Sequence, residues 1–417
     1  MTMTEKDALD GRIAPPATTN RLFAAGTAAS HQSHLRTYGE LDISAVAPRL
    51  VDQLLESGLN GRGGAGFSVA RKVDATRRAK GERMWANSPV VIANGAEGEP
   101  RSLKDETLLQ NAPHLVIDGL LAAAAAVHAR TTFMYVSSGA APAVRRALAE
   151  RRDAHAITLV VATESFISGE ASAVVNAIEN GVSLPRDHVV RMSESGYRRR
   201  PTLVHNVETL AHVALIARYG AAWFRSTGTD RDPGTRLVTV SGAVTDQRVL
   251  EVPGDTRIID IIRYCGAAPE QTGAVLVGGY HGVWISGDRL SVNLSAAALE
   301  PYGGQPGAGI LYVIGKHECG LSATSHIADY LAGQSAQQCG PCMFGLPEMA
   351  VLIKKIAEGN PDRKLRSQLE ALSESVIGRG ACHHPDGTSR LVLSALAVFA
   401  QDVEAHLSGR CIRATRR

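Results

Sequence analysis

The segment SPVVIANGAEGEP, residues 88–100, gives the clearest indication of the fold of this chain. It reads as a short buried strand that ends in a loop of glycines and carboxylates, as ligand-binding loops do in open α/β sheets. On its C-terminal side, TTFMYVSS (131–138) and AITLVVATES (156–165) read as further strands, and residues 113–130 and 141–152 read as helices. This alternation predicts a mostly parallel sheet that is covered by helices.

The rest of the chain shows two other patterns of apolar residues. From residue 236 short apolar runs are punctuated by glycine and proline, which predicts a small mixed β module, and from residue 323 the pattern is helical. The predicted divisions are a loosely packed N-terminal arm (1–45), an α/β domain (46–235), the β module (236–322) and a helical bundle (323–417). Further helices are predicted at 46–57, 258–264, 325–331, 346–358, 363–376 and 390–407.

Composition limits the function classes. A length of 417 residues is enough for two or three domains with their own hydrophobic cores. The composition, 44% hydrophobic and 20% charged, is that of an ordinary globular protein. A net charge of +3 gives no argument for a nucleic-acid partner. The N-terminus has no apolar core of a signal peptide, and the most apolar stretch, 115–127, is too short to span a bilayer. We therefore expect a cytoplasmic protein that meets a membrane only through partner subunits.

The glycine loop GRGGAGF, residues 61–67, precedes a basic helix. It contains the GxGxxG spacing, but a dinucleotide fingerprint needs a strand directly before it, and here a helix is predicted. A glycine-dense turn that opens a helix can still direct backbone N–H groups at a phosphate, and Arg62 and Lys72 would add positive charge. A plain glycine loop is the alternative.

Three further loops carry polar groups, but each gives only weak evidence for ligand binding. Glu97 and Glu99, in the loop after the first strand, could bond ribityl, ribose or ring groups, or form a solvated turn. The segment SGEASAV (168–174) is a similar turn into a helix. In PTLVHNVET (201–209), Asn206 and Thr209 stand at the start of an apolar helix, where capping is the simpler explanation.

The pair Cys339-Gly-Pro-Cys342 has the spacing of a thioredoxin dithiol and of half a metal site. A thioredoxin would need a preceding strand and a following βαβ unit, and only helices are predicted here. Zinc could be held with Cys382 and either His383 or His384, although the gap exceeds that of compact zinc motifs. The remaining thiols read as core or surface residues: Cys265, Cys319 and Cys411.

Taken together, these stretches resemble the NADH- and FMN-binding flavoprotein subunit of NADH:quinone oxidoreductase (respiratory complex I) and its relatives in hydrogenases and formate dehydrogenases. The family's motifs recur in order over residues 46–408: GRGGAGF followed by Lys72, NGAEGEP, GEASA and PTLVHNVET. TVSGAV and VLEVPGDT (239–256) are similar to its SLBB, or β-grasp, domain, and the helical end is similar to its cluster-holding bundle. The resemblance implies a Rossmann-like FMN domain followed by those two parts.

The resemblance also implies FMN, hydride transfer from a nicotinamide, and one-electron release to a nearby iron–sulfur cluster. The residues that match its phosphate side are Gly61, Arg62, Gly63, Gly64 and Lys72. Those that match its flavin side are Asn94, Glu97, Gly169, Glu170, Asn206 and Thr209. Those that match its nicotinamide side are Phe67 and Glu99.

Several family positions are changed. Ala96, Ala171 and His205 replace an aspartate, a glutamate and an asparagine, and HVVR (188–191) replaces a K-P-P-F stretch. These changes preserve most flavin positions and remove several nicotinamide contacts. Arg191 and the run 198–200 could instead receive a 2′-phosphate or an acidic donor protein, or could be a solvated basic face.

The cluster motif keeps three of four cysteines. Cys339, Cys342 and Cys382 match, while Ala336 stands where the family has its first ligand. Three thiolates can hold a [3Fe–4S] cluster, or a [4Fe–4S] cluster whose fourth iron binds water, His383, His384 or a partner's ligand.

The sequence thus predicts an FMN-dependent oxidoreductase subunit. It would take electrons from NAD(P)H and pass them singly through the cluster to a ferredoxin-like or other electron-transfer protein subunit. Two alternatives remain at this point: an electron-relay or scaffold subunit without nicotinamide binding, and a zinc-stabilised binding protein.

Overall fold

The computed structural model describes residues 20–79, 88–163, 165–186 and 190–413. They fall into two compact units: the first holds the described residues up to Thr239 and Arg248–Thr256, and the second holds Val240–Gln247 and the chain from Arg257 onward.

The helices and strands of the first unit alternate as predicted. Its helices are α1 (His31–Tyr38), α2 (Ile43–Val46), α3 (Leu50–Ser57), α4 (Val69–Arg78), α5 (Lys104–Asn111), α6 (Pro113–Ala126), α7 (Ala141–Ala149), α8 (Ala171–Asn180) and α9 (Val207–Arg225). Its strands are β1 (Val90–Gly95), β2 (Thr131–Val136), β3 (Ile157–Val161), β4 (Thr202–Asn206) and β6 (Arg248–Pro253), and β5 (Thr235–Gly242) runs from this unit into the second. The helix predicted at 46–57 begins late because Pro48 lies in a 3₁₀ turn, Ala47–Arg49.

Strands β1 to β4 form a parallel sheet in the order β3-β2-β1-β4. Both faces of the sheet are buried. Helices α6 and α9 cover one face, which consists of Val91, Ala93, Met134, Val136 and Leu203. Helix α8 covers the other, which consists of Val90, Ile92, Phe133, Tyr135 and Val204. The predicted α/β class is confirmed, because an apolar face on each side of a parallel sheet requires helices on both sides.

Helices α6 and α9 pack closely because Gly119 has no side chain. A Cβ at this position would lie 1.8 Å from the carbonyl oxygen of Leu210. Any larger residue would therefore push α9, and the start of this helix carries candidate site residues.

The segment that precedes α2 is packed rather than loose. Leu22 and Phe23 are buried in the core, and the backbone N–H of Leu22 donates to Glu251 at 2.9 Å. His34 bonds to the buried Asp118 at 2.7 Å. Residues 1–19 of the predicted arm lie outside the described residues.

The second unit contains an antiparallel sheet and a helical end. Strand β7 (Thr272–Val277) pairs antiparallel with β8 (Val283–Ser286) and with β9 (Ile310–Gly315). The helices are α10 (Ile258–Tyr264), α11 (Ala296–Leu299), α12 (Gly320–Gly333), α13 (Leu346–Ala357), α14 (Lys364–Val376), α15 (His384–Val398) and α16 (Ala400–His406). The indole N–H of Trp284, on β8, donates to Thr324 on α12 at 3.0 Å, which ties the sheet to the bundle. Among the described residues no helix is both long and apolar enough to cross a bilayer.

Candidate functional site

The first candidate site lies at the carboxyl ends of β1 and β4. The strand order continues from β1 to β2 on one side and jumps to β4 on the other, so the switch in topology falls between β1 and β4. Asn94 and Asn206 are register partners there. Ligands of open α/β sheets bind outside the carboxyl ends of strands at such a switch.

Asn94 and Asn206 are held by the loops around them. The Asn94 amide donates to the carbonyl of Gly169 at 2.9 Å and accepts from the N–H of Ala96 at 3.2 Å. The Asn206 amide donates to Asp105 at 2.6 Å, and its oxygen accepts from the N–H of Glu208 at 3.0 Å as the cap of α9. The capping role that the sequence suggests for Asn206 is therefore confirmed.

The glycine loop folds back on itself between α3 and α4. The N–H of Gly61 donates to the carbonyl of Phe67 at 2.8 Å, and Asn60 and Ser68 form an antiparallel bridge. A Cβ on Gly63 would lie 3.0 Å from the Cβ of Asn206, so the loop lies directly against the start of α9. Gly64 has φ +111°, which a side chain would strain, and nothing lies within 4 Å of its virtual Cβ.

Thr209 anchors this loop, and Arg62 faces away from it. The hydroxyl of Thr209, which is fully buried, accepts from the backbone N–H of Arg62 at 2.9 Å. The buried guanidinium of Arg62 donates to the carbonyl of Pro233 at 3.2 Å and lies 3.5 Å from Asp232. Burial lowers the pKa of Arg62 to about 10, with Arg236 acting in the same direction. Arg62 thus fixes the loop, and its charge is paired with a carboxylate.

Lys72 projects from α4 to the end of β4. Its ammonium donates to the carbonyl of Val204 at 2.6 Å. Burial lowers the pKa of Lys72 to about 8, against the opposing charge of Glu170. Beside it, burial and then the Lys72 charge lower the pKa of His205, whose buried Nε2 has no hydrogen-bond partner among the residues that the structure describes. The half-buried ammonium of Lys72 therefore pays a desolvation cost that the charge of Glu170 offsets only in part.

Glu97 is used as a helix cap. Its Oε1 accepts from the hydroxyl of Ser102 and from the N–H of Asp105 at 3.2 Å, and its Oε2 accepts from the N–H of Glu106 at 3.3 Å. Burial and the neighbouring Asp105 raise the pKa of Glu97 to about 7. Both carboxylate oxygens therefore bind the start of α5, which shapes the loop after β1.

Sequence reasoning missed a buried charge network under the same loop. The ammonium of Lys104 lies 2.6 Å from Asp105 and 2.9 Å from Glu208, and it donates to Asn206 at 3.4 Å. Burial acts to lower the pKa of Lys104, but the carboxylates of Asp105 and Glu208 outweigh it and raise that pKa. The Lys-Asp dipeptide shortly after NGAEGEP was the available signal, yet only the fold shows that Glu208 completes the network.

The turn before α8 packs tightly against the loop after β1. Oε2 of Glu170 caps α8 by accepting from the N–H groups of Ser172 and Ala173 at 2.8 and 2.9 Å. A Cβ on Gly169 would lie 3.0 Å from the carbonyl of Ala96. Gly169 and Glu170 are thereby brought together with Asn94 and Lys72.

The residues predicted for the nicotinamide side are at the surface of the first unit. Phe67 is 73% exposed, and Glu99 is half-buried. Of the basic run, Arg198 and Arg199 are exposed, while the Arg200 guanidinium donates to Ser88 and Thr131 and is structural. Residues 188 and 189 of the changed HVVR stretch lie outside the described residues.

These groups fit the phosphate end of a flavin mononucleotide. Gly64 leaves open space in the glycine loop, and Lys72 supplies a half-buried ammonium whose pKa is lowered by burial, a charge that an anion would stabilise. Lys72, Gly63 and Gly64 would hold the phosphate, and Asn94, Gly169 and Asn206 lie at the switch point where a ring system would follow.

The second candidate site is the cysteine group of the second unit. Burial raises the pKa of the Cys342 thiol to about 12, and the charges of Cys339 and Cys382 add to this effect, which places both residues near Cys342. Cys342 lies in a π-helical turn, Pro341–Gly345, that leads into α13, and Cys382 comes just before α15. No strand occurs in the described stretch 316–413, so the structure excludes a thioredoxin fold around this pair.

Ala336 lies at this group. Its backbone N–H donates to the sulfur of Cys342. His384 is committed elsewhere, since its Nδ1 pairs with His281 at 3.0 Å and its Nε2 donates to the carbonyl of Leu331 at 2.8 Å. His383 is exposed and uses only Nδ1, which bonds to Asp386 at 3.2 Å. Three clustered thiols beside a backbone N–H fit an iron–sulfur cluster, whose ligands are thiolates and whose sulfurs accept hydrogen bonds.

Comparisons with known proteins match the two regions of the chain that contain these candidate sites. Residues 54–215 match the family described as the Nuo51 FMN-binding domain, and residues 322–406 match the NADH-ubiquinone oxidoreductase-F iron-sulfur binding region. The chain is 29% identical over 380 residues to an F-type NADH-quinone oxidoreductase subunit of Rhizobium meliloti (strain 1021), covering 87% of this chain and 89% of that one. It is 26% identical over 397 residues to NADP-reducing hydrogenase subunit HndC of Solidesulfovibrio fructosivorans, covering 90% and 80%.

Among solved structures, the chain resembles the crystal structure of an NAD+-reducing [NiFe]-hydrogenase in the H2-reduced state. The TM-score is 0.80 at 27% identity, over 89% of this chain and 64% of that chain's length. The chain therefore carries the FMN-binding domain of the Nuo51 family and the iron–sulfur binding region of the NADH-ubiquinone oxidoreductase-F family.

Proposed function

We propose that this chain is the electron-input subunit of an FMN-dependent oxidoreductase that uses NAD(P)H. FMN, when bound, supplies the conversion of a two-electron hydride donor into a one-electron donor. One NAD(P)H and two oxidised one-electron carriers would give NAD(P)+, a proton and two reduced carriers. The observation that carries the proposal is that one chain combines a phosphate-fitting loop with Lys72 at the sheet's switch point and a three-thiol group.

Each residue group has a proposed task. The glycine loop and Lys72 bind the phosphate, Asn94, Gly169, Glu170 and Asn206 orient the ring, and Glu97 and Thr209 shape the loops. Phe67 and Glu99 meet the nucleotide. Cys339, Cys342 and Cys382 ligate the cluster, from which a ferredoxin-like subunit takes single electrons. The domain division 46–235, 236–322 and 323–417, with a β-grasp module in the middle, belongs to the same proposal.

The relatives support the choice of donor by chemical class. One relative is named an NADH-quinone oxidoreductase subunit and another an NADP-reducing hydrogenase subunit, so both nicotinamides are candidates. The second candidate function is a relay subunit that keeps FMN and the cluster and does not react with nicotinamides. Ala96 favours it, because a buried methyl group occupies the position of the family's aspartate.

The test is anaerobic reduction of the purified chain in its flavin- and cluster-containing form. Loss of the visible flavin band on addition of NADH or NADPH supports the enzyme. A band that responds to dithionite but to neither nucleotide would favour the relay, and a preparation without flavin would contradict both.

A matched pair of variants tests the path of the electrons. Cys382→Ser should keep the reduction of flavin by nucleotide and lose the reduction of ferredoxin. Cys265→Ala, which removes a buried thiol of the same unit, should keep both. Unchanged ferredoxin reduction in Cys382→Ser would contradict the assigned path.

A further inference from the structure

Three metal-ligating side chains meet at the end of the second unit, apart from the cysteine group already described. The sulfurs of Cys319 and Cys411 and a ring nitrogen of His406 all lie within 4.8 Å of one another. Cys319 and Cys411 are both outside the matched iron–sulfur region, which ends at residue 406.

The imidazole of His406 is oriented for ligation. Its Nδ1 lies 3.0 Å from the carbonyl oxygen of Ile356, and a carbonyl can only accept, so Nδ1 carries the proton. The lone pair is therefore on Nε2, which lies 3.7 Å from the sulfur of Cys319. A backbone carbonyl that fixes the outer nitrogen of a histidine is the usual support for a histidine ligand. His406 is itself buried, at 2% exposure.

The spacing matches tetrahedral zinc. Zn–S and Zn–N bonds of about 2.3 and 2.05 Å at a tetrahedral angle place sulfur and nitrogen about 3.6 Å apart. The separation of 3.7 Å between Cys319 and His406 agrees with this value. Two thiolates and an imidazole are also the ligand types that zinc prefers, and a water would complete the four-coordinate site.

Both cysteines are held in place by the backbone around them. Cys319 is the N-cap residue of α12, so the start of that helix fixes the position of its backbone. Cys411 precedes Arg413, whose guanidinium donates to Asp402 at 2.9 Å and to the carbonyl of Lys316 at 2.9 Å. These bonds bring the end of the described chain to the segment just before Cys319.

We propose that Cys319, His406 and Cys411 bind a zinc ion that fastens the C-terminal segment to the start of α12. The ion would close the chain around the whole helical bundle, so its binding free energy would contribute to the stability of that bundle. The proposal is independent of the flavin and of the three thiols at residues 339, 342 and 382.

The test is metal analysis of the full chain with its flavin and cluster, purified anaerobically from zinc-supplemented cells. We expect about one zinc per chain, as for a single three-ligand site. The double variant Cys319→Ser/Cys411→Ser should lose at least about nine-tenths of it, because two of three ligands are gone. Iron and flavin should stay unchanged, and Cys265→Ala should keep its zinc.

Further outcomes would overturn the proposal. They are a chain that holds no zinc after incubation with equimolar Zn²⁺, zinc that persists in the double variant, loss of iron instead of zinc, or a Cys319–Cys411 disulfide in anaerobic peptide maps. Should the double variant fail to fold, zinc X-ray absorption on the unmodified chain decides. Two sulfur neighbours and one imidazole support the site, and any other ligand set overturns it.

Discussion

Lys72 should have opposite effects on the two forms of the flavin domain. A pKa lowered from 10.5 to about 8 means that burying the charged ammonium costs the flavin-free protein about 3 kcal/mol at neutral pH. Lys72→Met keeps the apolar volume and removes this charge. It also removes the hydrogen bond to Val204, which is worth about 1 kcal/mol. We therefore expect the flavin-free variant to be more stable than the parent by about 2 kcal/mol.

The same substitution should weaken flavin binding. Phosphate that restores the pKa of Lys72 from about 8 to 10.5 gains about 3 kcal/mol from the ammonium, so the dissociation constant of FMN should rise roughly 300-fold in the variant. Urea denaturation of the flavin-free protein and fluorescence titration with FMN measure the two effects. The control is Arg71→Met, which removes an exposed positive charge from the same helix and should change neither quantity.

The prediction requires two opposite effects of Lys72→Met: higher stability of the flavin-free protein and weaker FMN binding. A variant that loses stability together with flavin affinity would show that Lys72 is only a structural residue. A variant with unchanged FMN affinity would remove the lysine from the phosphate site altogether.

Three further substitutions test other parts of the structure. Ala336→Cys should supply the missing fourth thiolate and raise the iron content and oxygen tolerance of the cluster, measured by iron and sulfide analysis and by EPR after exposure to air. Gly64→Ala should lower FMN affinity in a titration, because its φ of +111° imposes about 1–3 kcal/mol of strain on any side chain. Asp118→Asn should lower the free energy of unfolding in urea by about 3 kcal/mol, because it removes the carboxylate that pairs with the buried guanidinium of Arg218 and leaves Arg151 paired with Asp153 alone of its two carboxylates.

Features that depend on neighbouring residues could be predicted from the sequence. Strands β1 to β3 could be predicted because their apolar runs are bounded by turn signals, and the bundle could be predicted from its helical spacing. Strand β4 was missed, because its five residues run directly into α9 and were interpreted as the start of that helix. The caps at Asn206 and Glu170 follow the same local logic, since each side chain bonds to N–H groups two or three residues ahead.

Contacts between residues that are far apart in the sequence could not be predicted in this way. Arg62 looked like a phosphate ligand because its partners Asp232 and Pro233 lie far along the chain. Glu97 was predicted to contact the flavin, and the sequence does not show that N–H groups at the start of α5 donate to both of its carboxylate oxygens. Cys319 and Cys411 have no metal-motif spacing, and only the folded bundle brings them together with a histidine.

The charge at Lys72 also links flavin binding to protons. FMN phosphate has a second pKa of about 6, so above pH 8 it is a dianion whether bound or not. Its charge would return the pKa of Lys72 from about 8 towards or above 10.5, so binding takes up one proton in that interval.

Affinity for FMN should therefore fall as pH rises from about 8 to 10.5, approaching tenfold per pH unit inside the window, and stay level between pH 7 and 8. The stability of the flavin-free protein should rise over the same interval, because the unfolded chain binds more protons there than the folded one. Lys72→Met has no such proton and should show a flat affinity profile. Equal slopes for the parent and the variant would place the responsible proton elsewhere, whereas a slope confined to the parent would assign it to the ammonium that lies between β4 and the turn before α8.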